Sequence, residues 1–310
     1  MEENAIRYKN CLILGNGFDL DLGLKTSYRD FLDSDEWKEL CQQTTSSKKN
    51  SLITYIDEEH NINNWCDLEE IIKKYAQETK KKKFSRDLAE KIHDEYDLLT
   101  SYLMRYLTNC VIHPQNLKEK SFAKTFLNQY IDLSIHDLSI SSPTYTFNYT
   151  PIDKIPDFFD LKYIPSFKTV HGSIIEKNAI LGFECDDFDS IPPELSFMLK
   201  ANSPYYKSNL LNEDLHKSLN IYIYGHSLNL IDKDYFTRFF SDCLSDKIRR
   251  NIYIITYNKD SDVSIRNNIR KMGINLSLLY QCVDMKILHI NEISNNDDEK
   301  KLSEEILSDI

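Results

Sequence analysis

The chain has few glycines, no closely paired cysteines and no long apolar run. Its seven cysteines are scattered, odd in number and never spaced as C-x-x-C, which argues against a disulfide framework and against a zinc site. No apolar stretch approaches the roughly 20 residues that a membrane span needs, and the polar N-terminus has no signal-peptide pattern. We therefore expect a cytoplasmic protein with reduced thiols, no membrane association and no bound metal.

Basic residues are also in the minority, because the chain has 38 Lys and Arg but 49 Asp and Glu, and its formal net charge is −11. Such a surface repels a phosphate backbone, so the composition argues against nucleic acid as the main partner. The lysine run at 80–83 is a local exception of the kind that usually forms a solvated helix face. With 41% hydrophobic residues, the chain can form one large α/β domain or a core with an insertion.

Because glycine is scarce, its positions are informative: it is needed where the backbone takes a positive φ or where two segments approach closely. Three segments share one pattern, an apolar β-rich run followed by glycine and then by polar residues able to cap a helix. These segments are CLILGNGFD (11–19), FKTVHGS (167–173) and NIYIYGHS (220–227). The pattern predicts three strands that each end at a turn carrying polar groups.

Three further runs, PTYTFNYT (143–150), NIYIITYN (251–258) and MKILHI (285–290), bring the number of predicted strands to about six. Most are apolar throughout, which is typical of a parallel sheet covered on both faces, so we expect a Rossmann-like α/β core. Between about 28 and 138, apolar residues recur at three- and four-residue spacing and predict helices. We therefore expect a core of residues 1–30 and 139–295, a helical insertion of residues 31–138 and a C-terminal tail of residues 296–310 that forms a short helix or is frayed.

The first glycine turn follows an apolar strand and opens a helix, so its backbone N–H groups are placed to receive a pyrophosphate. The third glycine comes six residues after the second instead of three, so the dinucleotide fingerprint is incomplete. Asp19 would repel a nearby phosphate and is better suited to bind a ribose hydroxyl or to order the turn. The alternative is a tight turn with an Asx cap and no ligand.

Polar side chains also stand at the ends of two other predicted strands. Asn148 offers both a donor and an acceptor, and His171, directly before Gly172, can act as a general base near neutral pH. The carboxyl ends of parallel strands meet at one edge of a sheet, where ligands bind in folds of this kind. A lone Asn or His at such a position is also often structural, and the residues alone leave both interpretations open.

The segment after the fourth apolar run has two interpretations. As a nucleophile elbow, it would let Ser227 attack an acyl group with His289 as base, but the elbow needs a second glycine that is missing here. As a nucleotide site, Gly225, His226 and Ser227 would contact a phosphate or ribose, with Asp232 at the start of the following helix. We favour the nucleotide site.

Several motifs in a fixed order carry a resemblance to a known family. They are L-G-N-G-F-D-L (14–20) with G-L-K-T-S-Y-R-D-F (23–31), T-F-N-Y-T (146–150), V-H-G-S (170–173) and Y-G-H-S-L (224–228). Together they frame most of the chain from residue 11 to about 230. In these motifs the chain resembles the AbiH proteins of bacterial abortive phage infection, which implies an anti-phage effector.

The same order of motifs is similar, more distantly, to the sirtuin superfamily of NAD-binding proteins. That similarity implies NAD as substrate, a Rossmann-like core interrupted by a helical module, and Asn148 and His171 as the catalytic pair. The four-cysteine zinc module of deacetylating sirtuins is missing, and the defence branch of the superfamily is associated with destroying NAD. The resemblance thus implies an NAD glycohydrolase that depletes NAD in an infected cell.

In the implied reaction, the nicotinamide–ribose bond is hydrolysed through an oxocarbenium-like transition state. Asn148 would orient the ribose or the attacking water, and His171 would assist proton transfer. The residues expected to contact the nucleotide are Gly15, Asn16, Gly17, Phe18, Asp19, Thr146, Gly225, His226, Ser227 and Asp232.

Two alternatives remain open from the sequence: a nucleotide-sensing module without turnover, and an esterase-like hydrolase that depends on Ser227. An enzyme that depletes NAD must be held inactive before infection. We therefore also expect a homo-oligomer or a regulatory protein partner, although no residue pattern specifies either.

Overall fold

The computed structural model describes residues 6–44, 51–63, 67–80, 85–112, 114, 117–136, 142–152, 165–184, 187–206, 208–292 and 296–307. Its strands are β1 Tyr8–Leu14, β2 Thr144–Thr146, β3 Lys168–Thr169, β4 Ser218–Tyr224, β5 Asn251–Thr256 and β6 Asp284–His289. Its α-helices are α1 Asn16–Leu22, α2 Tyr28–Leu32, α3 Asp35–Thr44, α4 Leu52–Asn63, α5 Leu68–Lys80, α6 Arg86–Ile112, α7 Phe122–His136, α8 Ser208–His216, α9 Lys233–Cys243, α10 Lys259–Lys271, α11 Leu276–Cys282 and α12 Asn296–Leu307.

The six strands form one parallel sheet in the order β3-β2-β1-β4-β5-β6. In its register, Ile13 of β1 lies opposite Tyr145 of β2 on one side and Ile223 of β4 on the other. The predicted Rossmann-like α/β core is confirmed. The strand order reverses direction between β1 and β4, and in such sheets ligands bind at the carboxyl ends of the strands beside this switch point.

The central strands are apolar throughout because both of their faces are covered. Leu12, Tyr222 and Tyr253 point to one face, where they join a core formed with α1, α7 and α12. Their neighbours Ile13 and Ile223 point to the opposite face and are also completely buried. The edge strand β6, by contrast, is only partly buried, as expected for a strand with one free edge.

The chain divides into two compact units. The sheet unit comprises Met1–Leu24, Asn116–Ser173 and Lys207–Ile310, and the helical unit comprises Lys25–Gln115 and Ile174–Tyr206. In the sheet unit, α1 and α12 pack against α7, and α9 packs against α8 and α11. Within the described ranges, neither unit contains a helix with the length and apolar character needed to cross a membrane.

The helical unit differs from the predicted insertion of residues 31–138 at both ends. Helix α7 lies within the predicted insertion but belongs to the sheet unit, because the ring of Phe126 packs against those of Tyr222 and Tyr224 on β4. Residues 174–206 were predicted to be part of the core, yet they belong to the helical unit. There the completely buried Lys200 forms an ion pair of 2.9 Å with Glu69 of α5.

The C-terminal segment, for which the sequence left a short helix and a frayed tail open, is helical over most of its length. Residues 296–307 form α12, which packs against α7. Its Ile306 and Leu307 are each only 2% exposed and join the core of the sheet unit. Although most residues of this segment are polar, its few apolar residues form a stripe that packs on the core.

Candidate functional site

The turn after β1 and the turn after β4 touch backbone to backbone. The N–H of Gly15 donates to Tyr224 O at 2.8 Å, and the N–H of Gly17 donates to Gly225 O at 2.9 Å. A Cβ on Gly17 would lie 2.7 Å from the Cα of Gly225, and one on Gly225 would lie 2.3 Å from the N of Phe18. Gly225 also has a φ of +66°. Only glycine fits at these positions, so the motif is explained by close packing at the switch point.

The contact between the two turns reduces the number of backbone N–H groups with which the glycine turn could bind a ligand. The N–H of Gly17 is bonded to Gly225 O, and the N–H of Phe18 donates to Gly15 O at 2.9 Å. Both groups were predicted to receive a pyrophosphate, but here they are satisfied within the chain. Phe18 itself is completely buried, with its ring edge-on to Tyr224 at 5.2 Å, so its side chain would have to leave the core to contact a nucleotide. Asn16, between the two glycines, is exposed.

Asp19 connects the glycine turn to the end of β2. Its carboxylate is completely buried and accepts hydrogen bonds from Asn148 Nδ2 at 2.7 Å and from Thr150 Oγ1 at 2.5 Å. Thr150 was not among the predicted site residues, although it lies in the same T-F-N-Y-T motif. The carboxylate thereby orders both segments, which is one of the two roles expected for it.

Asn148 is held in one orientation by its amide group. Its Nδ2 donates to Asp19 and also to Gly15 O at 3.0 Å, and both partners can only accept, so the positions of the amide nitrogen and oxygen are defined. Its backbone N–H donates to Thr146 Oγ1 at 3.0 Å, which gives Thr146 a role in shaping the strand end. Within the described ranges no donor reaches Asn148 Oδ1, so this oxygen can accept a hydrogen bond from a ligand or water.

Asp232 lies between two imidazoles at the same edge of the sheet. Its Oδ1 is 3.1 Å from Nε2 of His171, and its Oδ2 is 3.4 Å from Nε2 of His226. All three side chains are at most 12% exposed. Asp232 ends a 3-10 turn, Leu230–Asp232, that leads into α9. The sequence placed Asp232 at a nucleotide, whereas the structure places its carboxylate against the two histidines.

His226 has its tautomer fixed by the backbone. The N–H of Leu228 donates to Nδ1 of His226 at 3.0 Å, so the proton of the neutral ring resides on Nε2, facing Asp232. A protonated nitrogen cannot ligate a metal ion, so this trio does not supply two histidine ligands. Consistent with that chemistry, no group of three potential ligands that could hold a metal ion is found in the described part of the chain.

An aromatic cluster surrounds these polar groups. The ring of Phe147, the neighbour of Asn148, lies 5.2 Å from that of His171 and 4.2 Å from that of His226. It also contacts Tyr235 and stacks on Phe236, both from α9. The apolar walls strengthen the interaction of Asp232 with the imidazoles, because electrostatic interactions are stronger where water is excluded. Phe147 was missed from the sequence, since an aromatic residue in a strand usually signals only a core position.

The residues of the esterase-like alternative are not brought together. Ser227 is exposed, its carbonyl accepts from Asn268 Nδ2 at 3.1 Å, and its hydroxyl forms no hydrogen bond with any residue that the structure describes. His289 lies at the end of β6 with Nε2 3.3 Å from Asp262 Oδ2. The serine–histidine hydrogen bond that activates a nucleophile is therefore not formed.

The sequence was compared with known protein families, and one family matches it. A family model described as bacteriophage abortive infection AbiH matches residues 11–254, more than half of the chain. The match covers every residue of the site from Gly15 to Asp232. No curated protein matches the sequence.

Proposed function

The chain belongs to the AbiH family of bacteriophage abortive infection proteins, and we propose that it exerts this anti-phage role by hydrolysing the nicotinamide–ribose bond of NAD. One observation supports the proposal: an imidazole whose Nε2 lies 3.1 Å from a buried carboxylate and an asparagine amide held by two acceptors occur at the carboxyl edge of the same Rossmann-like sheet. The imidazole is that of His171, the carboxylate that of Asp232 and the amide that of Asn148. The position is where parallel sheets of this type bind nucleotides.

His171 would act as the general base. In the proposed step, a water oxygen bonds to the ribose C1′ while the C1′–nitrogen bond breaks, and the bonding electron pair leaves with the nicotinamide nitrogen. The water proton passes to His171, and the products are nicotinamide and ADP-ribose. Nicotinamide leaves as a neutral molecule, so the site needs no strong general acid.

Asn148 would position the attacking water or a ribose hydroxyl. Its Oδ1 is the part of the amide that no described residue binds, and its Nδ2 anchors it to Asp19 and Gly15. An amide held from two sides loses little conformational freedom when a ligand binds, which favours accurate positioning.

The proposed site would bind the diphosphate of NAD differently from a glycine-loop site. The exposed side chains of Asn16 and Ser227 lie on the two turns joined at the switch point, where each could contact a ribose or phosphate oxygen. The N–H groups of Gly17 and Phe18 are already bonded within the chain, so the diphosphate would be bound by side chains rather than in a glycine-loop cradle.

The test is to incubate the purified full-length chain with NAD and to follow free nicotinamide by chromatography. We expect His171→Ala and Asn148→Ala to lower the rate by about 10²–10⁴-fold, the range of a lost general base or positioning group. The matched controls are His93→Ala on α6 and Asn267→Ala on α10, whose side chains are exposed, and both should retain the wild-type rate.

Cleavage that is undiminished in both site variants would rule out the assigned roles. Tight binding of NAD without nicotinamide release, both before and during phage infection of cells that express the chain, would select the alternative of a nucleotide sensor without turnover. Absence of NAD binding under both conditions would reject NAD as the ligand.

A further inference from the structure

We propose that Tyr257, which follows β5 at the carboxyl edge of the sheet, is the residue on which the adenine base of the nucleotide stacks. The choice of adenine rests on the proposed function: if the nicotinamide end of NAD lies at Asn148 and His171, its second base must be held elsewhere along the same edge. The stacking itself does not depend on the reaction, because any purine can stack on an aromatic ring.

Tyr257 is the most exposed large hydrophobic residue in the described part of the chain, with 63% of its surface accessible. Its side chain forms no hydrogen bond, ion pair or ring contact with any residue that the structure describes. An aromatic ring left in water forgoes a large stabilisation that burial would provide. A planar ligand from outside the fold can supply that burial.

The backbone holds Tyr257 in place from both sides. Its carbonyl accepts the N–H of Asn291, two residues beyond the end of β6, at 3.0 Å. The next residue, Asn258, caps α10, where its Oδ1 accepts from the N–H and the hydroxyl of Ser261 at 2.9 and 3.0 Å. A ring on a fixed backbone loses little freedom when a base stacks on it, so less binding energy is spent on ordering the site.

The strand order places Tyr257 across the switch point from the proposed reacting groups. Asn148 follows β2 and Tyr257 follows β5, with β1 and β4 between them. Sheets of this type bind a dinucleotide across the switch point, with one mononucleotide on each half. Three strand spacings separate β2 from β5, roughly 14 Å in total, and an extended dinucleotide can span that distance.

The middle of the ligand would then lie over the two central turns. Asn16 and Ser227, whose exposed side chains are proposed above to contact ribose or phosphate oxygens, follow β1 and β4. Tyr224 of β4 lies opposite Ile255 of β5, so Tyr257 lies just past the level at which the chain turns after β4. The reacting base, the diphosphate and the second base therefore follow the strand order along one edge.

Binding of AMP, which carries adenine but no nicotinamide, tests the stacking role directly. Tyr257→Ala should weaken AMP binding, measured by calorimetry, about 5–150-fold, the range for one base stacked on an aromatic ring. Tyr257→Phe keeps the ring and should bind AMP within a few-fold of wild type. The matched control is Tyr205→Ala in the helical unit, which removes another exposed tyrosine and should leave AMP binding unchanged.

Stacking also has a spectroscopic signature that a merely structural role would not produce. The H2 and H8 proton signals of AMP should move to lower frequency with the wild-type chain and with Tyr257→Phe, because they enter the shielding region of the ring. Tyr257→Ala should lose this shift. Unchanged AMP affinity in Tyr257→Ala, an equal loss in Tyr257→Phe, or no AMP binding by the wild-type chain would each overturn the inference.

The kinetic arm separates this inference from the proposed function. If the wild-type chain releases nicotinamide from NAD, Tyr257→Ala should raise KM more than it changes kcat, because stacking contributes to binding and not to bond breaking. Release with an unchanged KM would reject the stacking role and leave the proposed function in place. AMP binding that depends on Tyr257 without nicotinamide release would count against NAD hydrolysis and leave the stacking role in place.

Discussion

Asp19 illustrates how a single buried carboxylate can connect two strand-end turns. A charged group with no exposed surface is tolerated only when hydrogen bonds replace its hydration. Asn148 and Thr150 supply those bonds from the segment after β2, while Asp19 itself lies in α1 after β1. The orientation of the proposed catalytic amide thus depends on a residue from a different strand-end turn.

Replacing Asp19 with asparagine should therefore reduce stability. The new amide would present a donor toward Asn148 Nδ2 or Thr150 Oγ1, leaving a buried polar group unsatisfied, and we expect a loss of about 1–3 kcal/mol in the free energy of unfolding. Urea unfolding followed by circular dichroism measures the loss. The exposed Asp94→Asn on α6 is the control and should change stability by less than about 0.5 kcal/mol.

The same variant distinguishes the two roles that the sequence leaves open for Asp19. A protein of full stability that no longer binds nucleotide would place the carboxylate at a ribose hydroxyl. A destabilised protein would place it in the architecture of the turn, as its contacts indicate.

At the scale of elements, the junction of the turns after β1 and β4 is where glycine is indispensable. We expect Gly225→Ala to destabilise the protein by about 3 kcal/mol or more, because the new Cβ would meet the backbone of Gly17 and Phe18 at a position that also has a positive φ. The matched control is Gly273→Ala, whose φ is +84° but whose added Cβ would meet nothing within 4 Å. The control should cost only the conformational strain, about 1–2 kcal/mol.

Thermal and urea unfolding of the two glycine variants would separate the loss of stability caused by steric contact from the loss caused by backbone strain. Equal losses in the two proteins would show that backbone conformation, rather than contact between the turns, makes glycine necessary at position 225. A Gly225→Ala protein as stable as wild type would contradict the close approach of the two turns.

The strands were predictable from sequence because a strand buried on both faces appears as a short continuous apolar run, a pattern that few other elements have. The partner of a helix is harder to predict. Helix α7 has the same three- and four-residue periodicity as the helices of the helical unit, and nothing local in Phe122 or Phe126 specifies that they pack on the sheet. The assignment of residues 174–206 fails for a similar reason, since their contacts are made with residues far away in the chain.

For the site, the sequence located the strand ends but not the pairs formed there. Asn148 and His171 could be predicted to lie at one edge because parallel strands bring their carboxyl ends together. The contact of Asp232 with two histidines depends on the turn after β4, including the positive φ of Leu228 and the 3-10 turn that Asn229 caps. Such backbone details leave no recognisable residue pattern, so the carboxylate was predicted to face a ligand.

At the scale of the whole molecule, every predicted site residue belongs to the sheet unit, and the helical unit contributes none of them. The sheet unit also buries many groups that are neutral at physiological pH. Burial raises the pKa of the Cys243 thiol to about 12, and burial followed by the neighbouring Asp214 raises the pKa of Tyr145 above its usual range. The pKa of Cys11 is raised in the same way, chiefly by burial.

These shifts predict how stability depends on pH. Each group has a higher pKa in the folded than in the unfolded chain, where thiols and phenols titrate near 9.0 and 10.0. Their contribution is fully present below the unfolded value and is lost as pH rises toward the folded value, because the unfolded chain then binds fewer protons. Below about pH 9, we expect these groups to change the free energy of unfolding little. At higher pH, each group that begins to titrate in the unfolded chain should lower this free energy by about 1.4 kcal/mol per pH unit.

Urea unfolding over a series of alkaline pH values, with phenolate absorbance recorded in parallel, checks this expectation. Tyr145→Phe should make the alkaline fall shallower by about 1.4 kcal/mol per pH unit, since it removes one phenol that titrates only on unfolding. It should also lower stability at neutral pH by about 1 kcal/mol, because Tyr145 donates a hydrogen bond of 2.6 Å to Asp214. A fall of the same steepness in this variant, or a phenolate signal of the folded wild type that Tyr145→Phe lowers by one group, would show that Tyr145 titrates in the folded protein.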